Sequence, residues 1–444
     1  MSSKNTTIVA LATPPIKSAI HIIRISGPDC YDIVNKLSSY NVTPLAHSLQ
    51  YVKLYDGKKF IDEVVLLKYT APHSYTGEDM IEITCHGSVY VATNIIKKLI
   101  ERGAKIAKNG EFTKRAFLNN KISLVQASAI NNIINSTSSK SLSLAQKGFD
   151  KKASDALHEI AHDVFKIIGQ IEVNIDYPEY DDVPNVSNKD IEKSIKSAYK
   201  YLNEVIDQST KAIPIMNGIN VAIVGKPNVG KSSLLNAILN ENKAIVSDIP
   251  GTTRDSIQYS AIIDGLTYNF MDTAGIHQSS DKIENLGIQQ TKKMIDKADF
   301  VLFIVDGSRS FDKDDKKILE LVKNKKHLIV INKNDLKQVK LPIKGISISA
   351  KKKNISSLFK NIGKNILDID MSFDLILPTE SAITEIKSCI SELKTCLNCL
   401  SKKQPKDLIV EYLHKAHSNI LNVLGESGDY NFINDLFDNF CVGK

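Results

Sequence analysis

The octapeptide Gly225-Lys-Pro-Asn-Val-Gly-Lys-Ser232 stands between an apolar run, Val221–Val224, and a helical run that opens Leu234-Leu-Asn-Ala-Ile-Leu. The pattern G-x-x-x-x-G-K-[ST] in that setting restricts the segment to a strand–loop–helix unit, because a chain of phosphates needs converging backbone N–H groups with a helix N-terminus behind them. Gly225 and Gly230 leave room where a Cβ would clash. Lys231 is placed to reach the β- and γ-phosphates, and Ser232 to offer its hydroxyl to magnesium.

Four further segments turn a phosphate loop into a guanine-nucleotide site. Guanine presents an N1–H beside an exocyclic amine, a pair of donors that one carboxylate accepts together, whereas adenine has the opposite polarity. Asn332-Lys-Asn-Asp335, after the apolar run Leu328–Ile331, supplies that carboxylate as Asp335, with Lys333 to cover the ring and Asn332 to meet its other edge or neighbouring loop groups. Ser349-Ala-Lys351 follows at the next strand end. Asp272-Thr-Ala-Gly275 is positioned to hold the magnesium shell and face the γ-phosphate, and Gly251-Thr-Thr-Arg-Asp255 brings Thr253 as a second magnesium ligand. The residue after Gly275 is Ile276, which cannot orient a water; Arg254 is the arginine of the first switch. A monovalent cation would supply the missing positive charge, and Asn228 offers a neutral oxygen suited to potassium.

The chain's 444 residues predict two to four domains, and 42% hydrophobic with 24% charged residues is an ordinary globular composition. No run approaches the ~18 apolar residues of a membrane span, and the start of the chain does not fit a signal peptide, so a cytoplasmic protein without stable membrane insertion is expected. The +7 net charge permits an anionic partner without demonstrating one. Six cysteines suggest reduced thiols, and Cys389, Cys396 and Cys399 share a helical apolar pattern that reads as core packing rather than a metal site.

Residues 1–119 read as a small α+β domain, with strands at Ala19–Ile25, Val64–Tyr69 and Met80–Cys85 and a helix at Val91–Arg102 stopped by Gly103. Residues 120–216 carry amphipathic helices through Leu157–Ile175 and Ile191–Val205, broken at Tyr177–Pro184. Residues 369–444 resume the pattern in Ile383–Leu397 and Ile409–Ile420. Residues 217–368 alternate strand-like and helical runs, the signature of a parallel α/β sheet. The fold class is therefore multidomain α/β, with a discontinuous helical domain interrupted by a Ras-like P-loop GTPase domain.

The chain resembles the MnmE (TrmE) family of bacterial and organellar tRNA-modification GTPases over essentially its whole length. The likeness rests on Ala12-Thr-Pro-Pro15, Ile23-Arg-Ile-Ser-Gly27, Tyr75-Thr-Gly-Glu-Asp79, Gly110-Glu-Phe-Thr-Lys-Arg-Ala-Phe-Leu-Asn119, the GTPase motifs and the terminal Cys441-Val-Gly-Lys444. The resemblance implies a potassium-activated GTPase that works in a heterotetramer with MnmG (GidA) on C5 of the tRNA wobble uridine. It implies a one-carbon unit from 5-formyl- or methylene-tetrahydrofolate, and a homodimer joined through the N-terminal, folate-binding-like domain.

By motif position, the resemblance puts Arg24, Glu82, Lys121 and Lys444 at folate, and Asn228, Ser247, Ile249 and Thr252 around potassium. Ser232 and Thr253 would ligate magnesium. Glu284, Lys231 and Cys441 would be catalytic, Glu284 as the residue that orients water. GTP would contact Asn228, Val229, Gly230, Lys231, Ser232 and Ser233; Ser247, Asp248, Ile249, Pro250, Gly251, Thr252 and Thr253; Asp272, Thr273, Ala274 and Gly275; Asn332, Lys333 and Asp335; and Ser349, Ala350 and Lys351. The stretch Ile16-Lys-Ser-Ala-Ile-His21 stands where the family is glycine-rich, and Cys85-His-Gly-Ser88 replaces Gly-His-Gly-Gly. The alternative from another class is a GTP-dependent ribosome or RNA assembly factor.

Overall fold

A computed structural model of the chain describes residues 6–44, 48–176, 187–241, 258–271, 284–353, 355, 358–359, 361–363, 373–427, 436–438 and 440–444. Two compact units result: Met1–Asn131 with Ser154–Ser194 and Ser391–Lys444, and Asn132–Ala153 with Ile195–Ile390. Among the described residues, no helix is long and apolar enough to cross a membrane.

In the first unit, strands β1 (Ile8–Leu11), β2 (Ile20–Ser26), β3 (Ser48–Asp56), β4 (Lys59–Tyr69), β5 (Met80–His86) and β6 (Lys105–Ile106) form one sheet in the order β3-β4-β5-β2-β1-β6. Neighbours are antiparallel except β1 and β6. Side chains alternate across a strand, so Val64 and Leu66 of β4 turn to the same face as Ile23 and Ile25 of β2 and Ile81 and Ile83 of β5. Helix α2 (Val89–Glu101) covers that face with Ala92, Ile95 and Leu99, all fully buried. Ile95 and Leu99 each contribute roughly 1.5–3 kcal/mol on burial, and the Ala92 methyl less. Gly103, at φ +117, turns the chain out of the helix at the position expected for it.

Helix α1 (Cys30–Asn35) packs on the same core, and α3 (Glu111–Leu118) and α4 (Leu124–Asn135) follow β6. Helix α6 (Lys151–Asp176) buries Leu157, Val164, Ile168 and Ile171 at the predicted spacing. The predicted break at Tyr177–Pro184 lies outside the described residues, and α7 (Asn188–Asn217) takes up the pattern after it. The late pair is α11 (Glu380–Ser401) and α12 (Lys406–Leu424), separated by a short turn whose last residue, Pro405, stands just before α12 without a side-chain capping bond. Cys389, Cys396 and Cys399 are buried on α11, and the Cys396 thiol lies 3.7 Å from the Ile409 carbonyl. No cluster of metal-ligating side chains occurs among the described residues.

In the second unit, β7 (Ile219–Val224), β8 (Gln258–Ile263), β9 (Leu266–Met271), β10 (Phe300–Asp306), β11 (His327–Asn332) and β12 (Ile346–Ser347) assemble in the order β12-β11-β10-β7-β9-β8. Helices α8 (Lys231–Glu241), α9 (Glu284–Lys297) and α10 (Lys313–Val322) accompany them. Every residue of β10 is buried, as expected of a central strand covered on both faces.

The expectation of a parallel sheet needs one correction: β8, missed in the sequence, pairs with β9 antiparallel. Its cause is the two-residue turn Asp264-Gly265, where φ is +51 and +74. Positive φ at both central positions is what the hairpin turn matching strand twist demands, and Asp-Gly meets it. A Cβ on Gly265 would lie 2.6 Å from the Ser139 hydroxyl at the start of α5 (Ser139–Phe149), which packs against β9.

Candidate functional site

The loop between β7 and α8 is shaped by its glycines. A Cβ on Gly225 would sit 2.4 Å from the Ile304 carbonyl of β10, and one on Gly230, at φ +99, would sit 2.3 Å from the Asn332 amide. Neither position accepts a side chain without moving the loop. Lys231 opens α8 and is largely buried; its ammonium donates to the Gly225 and Lys226 carbonyls at 2.8 Å each. The ammonium thus lies within the loop that would hold phosphates. Ser232 and Ser233 follow in the first turn of α8, where backbone N–H groups are free of intrahelical partners.

The second residue of the loop has a role that its sequence position did not suggest. Lys226 pairs with Asp312 and, at 3.3 Å, with Asp315, joining the phosphate loop to the N-terminus of α10. Asp312 caps that helix by accepting from the Asp314 and Asp315 N–H groups. Its bond from Lys226 is the chief reason its carboxyl is lowered to about 2, and the same bond raises Lys226.

Asn332 joins the phosphate side to the base side. Only 2% exposed, it donates from Nδ2 to the Val229 carbonyl at 2.9 Å and accepts at Oδ1 from the Ala350 N–H at 3.0 Å. Of its two expected roles, contact with neighbouring loop groups is the one described here. Asp335 accepts from the Ser349 hydroxyl at 2.6 Å, and the Lys352 N–H in turn donates to Ser349 Oγ. The Ser349 bond is the main cause of a lowered Asp335 pKa; partial burial opposes it and Lys352 and Lys351 add to it. The carboxylate is therefore held ionised, as an acceptor of paired N–H donors must be.

Asp306, at the end of β10 and opposite Asn332 in the ladder, escaped the sequence reading. It is 4% exposed and accepts from Lys333 Nζ at 2.7 Å, Arg309 Nε at 2.9 Å and the Ser308 hydroxyl at 2.6 Å. Burial alone would raise its pKa, but the bonds from Lys333, Ser308 and Arg309 outweigh it and hold the carboxyl well below the usual range. Lys333, at φ +66, also donates to the Asn228 carbonyl at 2.9 Å. Its ammonium is thus anchored on the phosphate-loop side. The signal available in the sequence was an aspartate ending a fully apolar strand.

Several expected residues, namely Ser247, Asp248, Ile249, Pro250, Gly251, Thr252, Thr253, Asp272, Thr273, Ala274 and Gly275, lie outside the described residues, as do Arg254 and Ile276. Glu284 is described as the first residue of α9, by its backbone alone.

The first unit gathers a second group. Arg24 and Glu82 face each other in the β2–β5 register, and Nε and Nη2 of Arg24 both donate to Glu82 Oε1, at 2.9 and 2.7 Å. Arg24 Nη1 donates to the Gly443 carbonyl at 3.1 Å, and the guanidinium lies over the rings of Tyr75 and Phe112, 5.1 and 5.6 Å from their centroids. Lys444 reaches the same Tyr75 ring at 5.6 Å; burial, then the Arg24 charge, lowers its pKa, with Glu82 opposing.

The chain end is clamped by close backbone approach. The Phe112 N–H donates to the Lys444 carbonyl at 3.2 Å, and a Cβ on Gly443, at φ +94, would lie 2.5 Å from the Leu11 carbonyl. Cys441 is exposed beside it. Lys121 donates to the Pro72 carbonyl at 2.9 Å, a different partner from those of the other three candidates. Tyr75 and Phe112 were missed as site residues, although both sit inside motifs that the sequence singles out.

Comparison with known proteins places the chain in a family. Residues 7–121 match the family model for the GTP-binding protein TrmE N-terminus, and residues 124–441 match that for the MnmE helical domain. The tRNA modification GTPase MnmE of Malacoplasma penetrans is 46% identical over 443 residues, spanning 99% of this chain and 100% of that protein. The protein of the same name from Ureaplasma parvum is 43% identical, with 99% and 100% covered, and that from Pseudothermotoga lettingae 38%, with 99% and 99% covered. Among solved structures, Aquifex aeolicus Era bound to GDP and aluminium fluoride is 26% identical, covering 39% of this chain and 66% of its own, at a TM-score of 0.26.

Proposed function

The chain belongs to the MnmE family of tRNA modification GTPases, and from that premise we propose that it is a potassium-activated GTP hydrolase acting with MnmG on the wobble uridine of tRNA. The product is an aminomethyl or carboxymethylaminomethyl group at uridine C5, built with a one-carbon unit from a tetrahydrofolate derivative. The protein works as a cytoplasmic homodimer. Its segments are an N-terminal folate-binding domain at 1–119, a helical domain at 120–216 and 369–444, and a GTPase domain at 217–368.

The observation that carries the GTPase assignment is the span of Asn332 from the Val229 carbonyl to the Ala350 N–H, which draws phosphate loop and base loops onto one buried amide. Gly225 and Gly230 support a fit to phosphates, since the space their missing Cβ atoms leave is bounded by backbone and amide. In this reading the Lys231 ammonium exchanges its two loop carbonyls for phosphate oxygens, and Asp335 accepts the paired guanine donors. Ser232 and Thr253 hold magnesium, which supplies charge neutralisation at the phosphates. Asn228, Ser247, Ile249 and Thr252 hold potassium, and Glu284 orients the attacking water.

Arg24, Glu82 and Lys444, with the aromatic faces of Tyr75 and Phe112, fit a flat, partly charged ligand such as a reduced folate, which supplies the one-carbon unit. Lys121 binds the same ligand from its own loop, and Cys441 offers a thiol beside it. Nucleoside analysis of tRNA from cells lacking the protein tests the reading: hypomodified wobble uridines are expected, and unchanged ones defeat it in favour of an assembly factor.

A further inference from the structure

We propose that Asp306 is a positioning residue of the nucleotide site: its carboxylate holds the Lys333 ammonium against the Asn228 carbonyl, setting the lysine stem across the base side of the cleft before nucleotide arrives. The inference rests on the reading of this cleft as a guanine-nucleotide site.

Lys333 has four flexible side-chain torsions, and an unanchored lysine would sample many rotamers and hydrate its charge. Two acceptors fix it here, Asp306 Oδ2 at 2.7 Å and the Asn228 carbonyl at 2.9 Å. Only one of them is charged. Asp306 is itself immobilised, because Ser308 donates to it from both N–H and hydroxyl and Arg309 Nε donates at 2.9 Å. The carboxylate sits at the end of a strand buried at every position, paired in the ladder with Asn332, the residue before Lys333. The strand that carries Asp306 therefore sets where the lysine ammonium ends, and through it the carbonyl of the phosphate-loop residue Asn228. The ammonium's charge is balanced within the protein, so the stem presents methylenes rather than a free cation to the ring.

The test uses the full chain with magnesium and potassium, measuring GDP affinity, steady-state GTP hydrolysis and the melting temperature without nucleotide. Losing one charged hydrogen bond is expected to weaken GDP binding by about 10- to 100-fold in Asp306→Ala. Asp306→Asn, which keeps an oxygen for Lys333 but not the charge, is expected to recover part of that loss, with kcat at saturating GTP retained. Asp306→Ala combined with Lys333→Ala is expected to bind no worse than Lys333→Ala alone, since one interaction cannot be lost twice.

Unchanged affinity in Asp306→Asn and Asp306→Ala, or losses that multiply in full in the double variant, would overturn the proposal. Should Asp306→Ala fail to fold, Asp306→Asn with and without Lys333→Ala gives the same coupling. A wild-type chain that binds no GDP at all defeats the underlying reading of the cleft instead, which separates the two failures.

Discussion

Asn332 Nδ2 lies 2.9 Å from the carbonyl oxygen of Val229, a bond across 103 residues that makes one buried side chain a strut of both the phosphate loop and the base loops. The same position rejects bulk: a Cβ on Gly230 would meet that amide at 2.3 Å. The strut and the glycine therefore constrain each other.

Replacing Asn332 with alanine leaves the buried Ala350 N–H and the Val229 carbonyl without this partner. The expected cost is about 1–3 kcal/mol of stability, the usual penalty for an unsatisfied buried group. Denaturant unfolding of the nucleotide-free chain measures it, and GDP affinity is expected to fall in parallel. Wild-type stability in the variant would show that the strut carries no load.

Guanine binding should be insensitive to mild acid. Asp335 has a lowered pKa, chiefly through the Ser349 hydroxyl, so its contribution is fully present above the ordinary carboxylate value and is lost only as pH falls through the lower folded value. Ser349→Ala removes the main cause and returns that loss to higher pH. GDP titrations over an acidic pH series read the midpoint directly; coincident midpoints in variant and wild type contradict the assignment.

Exchange of potassium for sodium is expected to slow GTP hydrolysis by about tenfold or more, equivalent to ~1.4 kcal/mol of barrier. Glu284→Ala should lower kcat while leaving GTP affinity nearly intact, the pattern of a contact made in the transition state alone. Equal rates in the two salts, or a matching loss of affinity in the variant, would remove the respective role.

Arg24→Ala strips Glu82 of two hydrogen bonds in a partly buried setting and frees the Gly443 carbonyl. A destabilisation of about 1–3 kcal/mol is expected, together with loss of 5-formyl-tetrahydrofolate binding by calorimetry. Retained folate affinity would place that ligand elsewhere.

The amino-acid sequence by itself was enough to locate the glycine-bounded loop before α8, the Asn332–Asp335 segment after β11, the amphipathic helices and most strands. Those features rest on local rules: glycines at fixed offsets where backbone must approach phosphate, apolar residues at a period of 2 or 3.6. The Asp264-Gly265 turn obeys such a rule too, so β8, which the sequence reading missed, had a local signal there.

Tertiary structure alone decided which distant groups meet. Asp306 gains its role because β10 and β11 run parallel in register, which sets it beside Asn332 and within reach of Lys333. Arg24 and the Gly443 carbonyl lie 419 residues apart and come together because the chain end folds back over β1 and α3. Spacing along a chain records what one segment must do; it holds no record of register between segments, which is fixed by the packing of whole faces.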